Sequence, residues 1–298
     1  MLYNKPALGV EEQIQLLKDR GLNITDDDMA RHYLTAIGYY RLSGYMHFFY
    51  ESPKNPSSPT FKSDIDFKQI ISLYDFDREL RIITLDALEK IEITSRSVIS
   101  NVMSLKYNPF WYTEPRHFGR KFGSKRTKPY EHYNLLKEIK NAKAPFLDHY
   151  RKKYSFPEHP PSWMALEVLS FGALSIMFSH LKRDQIKAIS SEFNLSPAIL
   201  SNWLLICSYL RNICAHHARL WNRKFIYKVK PKGYALPRNL PINEENNYSF
   251  FAYAAVLKFL LDQFTLKNSW SERIQNLFDK YQGIPLNAMK FPKDWKQT

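Results

Sequence analysis

Residue types suited to proton transfer and phosphate binding stand close together in RNICAHHARLWNR, Arg211–Arg223. Histidine titrates near neutrality and can take or give a proton in a transition state, each role contributing roughly 10²- to 10⁴-fold in rate. Arginine stays protonated and offers a planar fork to phosphate oxygens. With Arg211, Asn212, His216 and His217 in one stretch, the chemistry available is metal-free cleavage of an RNA phosphodiester. A base draws the proton from a 2′-OH, an acid protonates the leaving 5′-oxygen, and a cation holds the charge on the phosphate. Asn212 could orient an imidazole or contact the ribose. Spacing alone carries little weight, because Arg41 with His47 and Arg126 with His132 are similarly spaced. Arg211 and His216 differ in setting: a polar residue follows the arginine, Ala215 and Ala218 lie beside it, and no Asp or Glu occurs from Phe193 to Asn243.

The element that must position these groups is a helix starting at Ser196, which can cap it, with Pro197 in its first position. No Gly or Pro follows before Trp221, so the pattern predicts a helix to that residue. At about 100° per residue, Asn212, His216, Arg219 and Arg223 share one stripe. The opposite side carries Trp203, Ile206, Leu210, Ile213, Cys214, Leu220 and Trp221, the expected buried face. His217 projects onto that apolar side, where a core histidine bonded through one ring nitrogen is the simpler expectation. Both histidines fit the spacing. Arg211 lies about 140° from His216 on an ideal helix, so a distorted helix or a site shared between two subunits is needed to join them. A second copy across a two-fold axis would also supply a second imidazole. Cys207 and Cys214, the two cysteines, lie about 10 Å apart on the same helix and cannot bridge.

The rest of the chain predicts helices throughout. VEEQIQLLKDR from Val10 has helical spacing with Gly21 as its stop, and Thr25 with Asp28 resembles a capping box for a second helix. IGYYRLSGYMHFFYE suggests a tight turn and a short helix packing on the first two. A Pro- and Ser-rich linker, 52–64, separates this N-terminal helical module, 1–51, from a helical domain, 65–283, and a tail, 284–298. About forty residues from Asp66 lack Gly and Pro and read as one long helix. Ile70, Leu73, Leu80, Ile83, Leu88, Ile91 and Val98 fall on its inner side, and i to i+4 pairs such as Glu92 with Arg96 on a solvated face. Residues 160–182 suggest a central helix, and further helices fall near 129–142, 145–153, 183–193, 245–266 and 269–282.

Net charge is +14, from 43 Lys and Arg against 29 Asp and Glu, which favours phosphate-rich partners. PRHFGRKFGSKRTKPY carries Arg116, Arg120, Lys121, Lys125, Arg126 and Lys128 among aromatics and no acid, suited to RNA or simply a solvated basic loop. Arg219, Arg223 and Lys224 lead into KFIYKVKPKGY, so a continuous electropositive, acid-poor surface is expected around the motif. No apolar run approaches a membrane span and the N-terminus lacks a signal-peptide pattern, so the expected location is cytoplasmic, without a membrane partner. The chain has no GKS/T loop, paired CxxC or HExxH, and the helix offers no local carboxylate for Mg²⁺; no metal and no cofactor are expected.

LRNICAHHARLWNR at 210–223, with YRLSGY at 40–45, DRELR at 77–81 and WMALEVLSFGALS at 163–175, resembles the Abi-like abortive infection proteins of AbiD and AbiF type over nearly the whole chain. That family belongs to the all-α HEPN superfamily. The resemblance implies an RxxxxH motif at Arg211 and His216, with Asn212 in the usual polar position, and a homodimer that cleaves RNA without metal. It also implies a phage-defence toxin restrained by a small non-coding RNA, as in a toxin–antitoxin pair. The alternatives are a non-catalytic RNA-binding helical protein and a helical partner-binding protein with incidental charge.

Overall fold

The structure is a computed structural model describing residues 6–51, 59–119, 132–229, 235–237, 240 and 242–292. Among these residues the chain is all-α, with twelve α-helices, short 3-10 turns and no strand. It divides into two compact units, Met1–Arg81 with Asn276–Ile284, and Ile82–Gln275 with Pro285–Thr298.

The first unit holds α1 (Val10–Asp19), α2 (Asp27–Ala36), α3 (Tyr39–Met46) and the opening turns of α4 (Phe67–Lys106). Gly21 stops α1 with a left-handed φ of 86°. Asp26 rather than Thr25 caps α2, accepting from the Met29 amide at 2.8 Å. Thr25 stands one residue too early, and its hydroxyl lies 3.5 Å from Asp66 Oδ2. Two of the four strings meet here. The Tyr45 hydroxyl donates to Asp77 Oδ2 at 2.7 Å, and Arg81 donates to both Tyr45 and Asp77. The i to i+4 pairing of Asp77 with Arg81 follows the spacing, but the solvated face does not hold: Asp77 is 0% and Arg81 5% exposed. A buried pair keeps its charges only because each completes the other's hydrogen bonds.

The second unit holds the remainder of α4, then α5 (His132–Asn141), α6 (Pro145–Lys153), α7 (Ser162–Ala165), α8 (Phe171–His180), α9 (Arg183–Glu192), α10 (Pro197–Ala215), α11 (Phe250–Phe264) and the start of α12 (Trp270–Lys280). The forty residues of α4 run unbroken, as their composition predicts. Ile83 and Val98 are only half-buried, and Thr84, Ala87, Ser95 and Ile99 take inward places instead. The single helix expected over 160–182 is broken. A 3-10 turn, Leu166–Val168, follows α7, Leu169 is extended, and Ser170 caps α8 by accepting from Ala173 N at 3.1 Å. Ser170 satisfies an amide that a continuous helix would have paired internally.

At the core of this unit α10 packs on α8, α9 and α11. By length and apolarity alone it could cross a membrane. Ten of its residues, including Trp203, Leu204, Ile206, Cys207 and Leu210, are buried within the protein, so it is a core helix. Both cysteines are buried and neither is in a disulfide, and burial pushes the Cys207 thiol well above its ordinary range. At the C-terminal side, Phe291 is buried with its ring centroid 5.2 Å from that of Phe251.

Candidate active site

The helix carrying the motif begins as expected. Ser196 accepts from Ile199 N and Pro197 occupies the first position. Its end falls at Ala215, six residues before the expected Trp221. The His217 amide donates to the Cys214 carbonyl and the Ala218 amide to the Ile213 carbonyl, both at 3.0 Å. These two bonds close the helix in a Schellman motif with His217 as the left-handed residue, φ 57°. His216 is therefore the C-cap, and both histidines are exposed. This corrects the core placement of His217, because the left-handed turn swings its side chain off the apolar face. The His216 amide still donates to the Asn212 carbonyl at 3.0 Å, so His216 keeps its helical register and the angular offset from Arg211 remains. Beyond the turn, Leu220 and Trp221 are buried anchors, and Arg223 Nη1 donates to the Arg219 carbonyl at 3.4 Å. Arg219 and Arg223 are half-buried, while Asn212 and Lys224 are exposed.

Arg211 lines an open cleft of about 710 Å³ between the last turns of α10 and the face of α4 that carries Ile82, Leu85, Asp86, Glu89, Glu92, Ile93 and Arg96. Its Nη1 donates to Asn212 Oδ1 at 3.0 Å, and its Nε lies 3.7 Å from Glu92 Oε2. Glu92 also pairs with Arg96, which donates to the Leu169 carbonyl at 2.9 Å and approaches Glu167 to 4.0 Å. The Glu92 and Arg96 side chains are only 12% and 13% exposed, so this chain of contacts is a nearly dry brace. Arg211 itself keeps 32% of its side chain accessible. Asp86, on the same wall, is held ionised. Burial opposes its charge, but Lys90 and Arg273 outweigh burial and keep the carboxyl below its usual range.

These carboxylates overturn the acid-poor expectation. The chain is acid-free from Phe193 to Asn243 in sequence, yet α4 and Glu167 bring four carboxylates to the Arg211 cleft. Carboxylates therefore do stand beside the motif helix, where none was expected. Among the described residues no group of three or more His, Cys, Asp or Glu is placed to hold a metal ion.

Of the basic residues singled out in the loop, Arg116 lies on a 3-10 turn, Pro115–His117, paired with Glu114. Arg120, Lys121, Lys125, Arg126 and Lys128 lie outside the described residues. Sequence reasoning missed Glu92, Arg96 and Glu167 as neighbours of Arg211. Periodicity along α4 cannot reveal a partner 119 positions away, and the only available signal was that Glu167 belongs to one of the four strings.

The family model described as Abi-like protein matches residues 32–222, which contain three of the four strings whole and most of the last. No curated protein and no solved structure matches the chain.

Proposed function

Because the chain belongs to the Abi-like protein family, we propose that it is a cytoplasmic abortive-infection toxin, a HEPN-type endoribonuclease that halts infected cells by cutting RNA. The observation that carries this reading is that α10 ends on an accessible His216 and, one turn earlier, carries an Arg211 braced at a cleft wall; their offset round the helix is why the reading takes a site shared between two copies. In this reading Arg211 holds a phosphate oxygen and Glu92 positions its guanidinium. His216 takes the proton from the 2′-OH as that oxygen attacks phosphorus. The P–O5′ bond breaks, an imidazole of a second copy protonates the 5′-oxygen, and a 2′,3′-cyclic phosphate remains. No metal takes part. Asn212 orients the guanidinium through the bond already present, and a small non-coding RNA restrains the enzyme until infection.

One observation favours a second reading, a non-catalytic RNA-binding protein: Glu92 already occupies one edge of Arg211. The two readings separate in cells. Induced wild-type protein arrests growth and restricts phage plating, and Arg211→Ala and His216→Ala proteins at equal abundance do neither. Full toxicity of both variants would remove the nuclease reading.

A further inference from the structure

The segment after Arg223 has no regular secondary structure, yet its inner side is fully pinned. Phe225 N–H donates to the Tyr248 carbonyl at 2.9 Å and Val229 N–H to the Asn247 carbonyl at 3.2 Å. The Lys228 carbonyl accepts from Asn202 Nδ2 at 3.1 Å, the Val229 carbonyl from Trp203 Nε1 at 3.1 Å, and the Tyr227 carbonyl from the Tyr253 hydroxyl at 2.9 Å. Phe225 stacks on Tyr253 with centroids 4.2 Å apart. Surface connections usually carry far fewer such ties. Pinned in this way, the segment bends at Ile226 and Tyr227 and its burial alternates: Phe225 and Val229 are buried, and Lys224, Ile226 and Lys228 are exposed.

The two lysines converge. Lys224 Nζ lies 5.8 Å and Lys228 Nζ 5.3 Å from the centroid of the half-buried Tyr248 ring. A lysine ammonium is a compact charge on a flexible stem, and the ring gives both stems a common resting place. Ile226, 65% exposed, stands between them as an apolar contact. We propose that Lys224, Lys228 and Tyr248 form a phosphodiester-binding subsite for single-stranded RNA. This rests on reading the protein as one that acts on RNA, and it adds where the strand is held. The eight residue-to-residue steps from His216 to Lys224 can span at most about 28 Å. The left-handed turns at His217 and Asn222 shorten that reach, so one strand can occupy the motif and the subsite together.

Glu244 Oε2 sits 3.4 Å from Lys228 Nζ with its side chain 73% exposed. A phosphate must displace this weak surface pair, so Glu244 acts as a competitor and its removal strengthens binding.

The test measures anisotropy of a short fluorescein-labelled oligouridine with the full-length protein carrying His216→Ala, so that RNA is not consumed, across a salt series. Adding K224Q and K228Q together is expected to weaken binding about tenfold at low salt. The slope of log K against log salt should shrink by about 1.4, from two lost contacts on a single strand. E244Q should tighten binding several-fold. Circular dichroism equal to the parent's establishes that these surface variants are folded. Parental affinity and slope in the double lysine variant would overturn the subsite, as would absence of RNA binding by the parent. If wild type cleaves RNA through His216 while the lysine variant binds unchanged, the subsite falls and the nuclease reading stands. If wild type cleaves nothing while the lysine variant loses affinity, the nuclease reading falls and the subsite stands.

Discussion

Glu92 touches two guanidinium groups, and removing its charge separates its role from that of Arg211. Glu92→Gln keeps the shape but leaves Arg211 without its counter-charge. The proposed reaction should then lose about tenfold in kcat with little change in KM, and Glu92→Asp should recover part of it. Equal loss in KM alone would assign Glu92 to RNA binding instead. At Asp77 the expected effect is on stability. Asp77→Asn strands the buried Arg81 and should lower unfolding stability by about 3–5 kcal/mol in urea titrations, whereas Tyr45→Phe should cost only about 1 kcal/mol. The pairing of Asp77 with Arg81 could be read from their spacing. Its burial could not, because the Tyr45 hydroxyl that completes it lies 32 positions away. Glu92 was illegible as a neighbour of Arg211 for the same reason, although its bond to Arg96 was expected.

At the scale of elements, the end of α10 decides what the two histidines can do. A left-handed residue without glycine is strained, by about 1–3 kcal/mol in general. His217→Gly should therefore hold or raise the melting temperature, and His217→Val should lower it. If His216 is the acting imidazole and His217 the helix terminator, the glycine variant stays toxic; a stable but harmless glycine variant would move the chemistry to His217. The start of α10 was legible because Ser196 and Pro197 are strong local signals. Its end was not, because the Schellman closure is made by backbone bonds to Ile213 and Cys214 and by a histidine where glycine is usual. The break between α7 and α8 escaped for a related reason. Ser170 reads equally well as a helix residue until its side chain is seen capping Ala173. The long α4, by contrast, needed only its uninterrupted composition.

Across the whole molecule, net charge and local charge point in opposite directions: a chain of +14 places four carboxylates around its arginine cleft. Linear composition could not reveal that, since the acids come from α4 and the α7–α8 connection. The fold also sets an acid limit. Burial lowers the pKa of His117, whose Nδ1 faces Gln185 Nε2 at 2.7 Å, and burial likewise lowers that of His159, both from an ordinary 6.5. The folded state thus binds fewer protons than the unfolded chain. Their contribution is complete above pH 6.5 and is lost as the pH falls through the depressed values. The melting temperature should therefore decline below pH 6.5, before carboxylates titrate, and His117→Gln should flatten part of the decline. A flat wild-type profile there would contradict this. The central claim is tested most directly by incubating the purified full-length protein with RNA in EDTA and analysing the cut ends. The account predicts 2′,3′-cyclic phosphate termini from wild type and none from Arg211→Ala or His216→Ala. Intact RNA from wild type, or identical cuts from all three proteins, would contradict it.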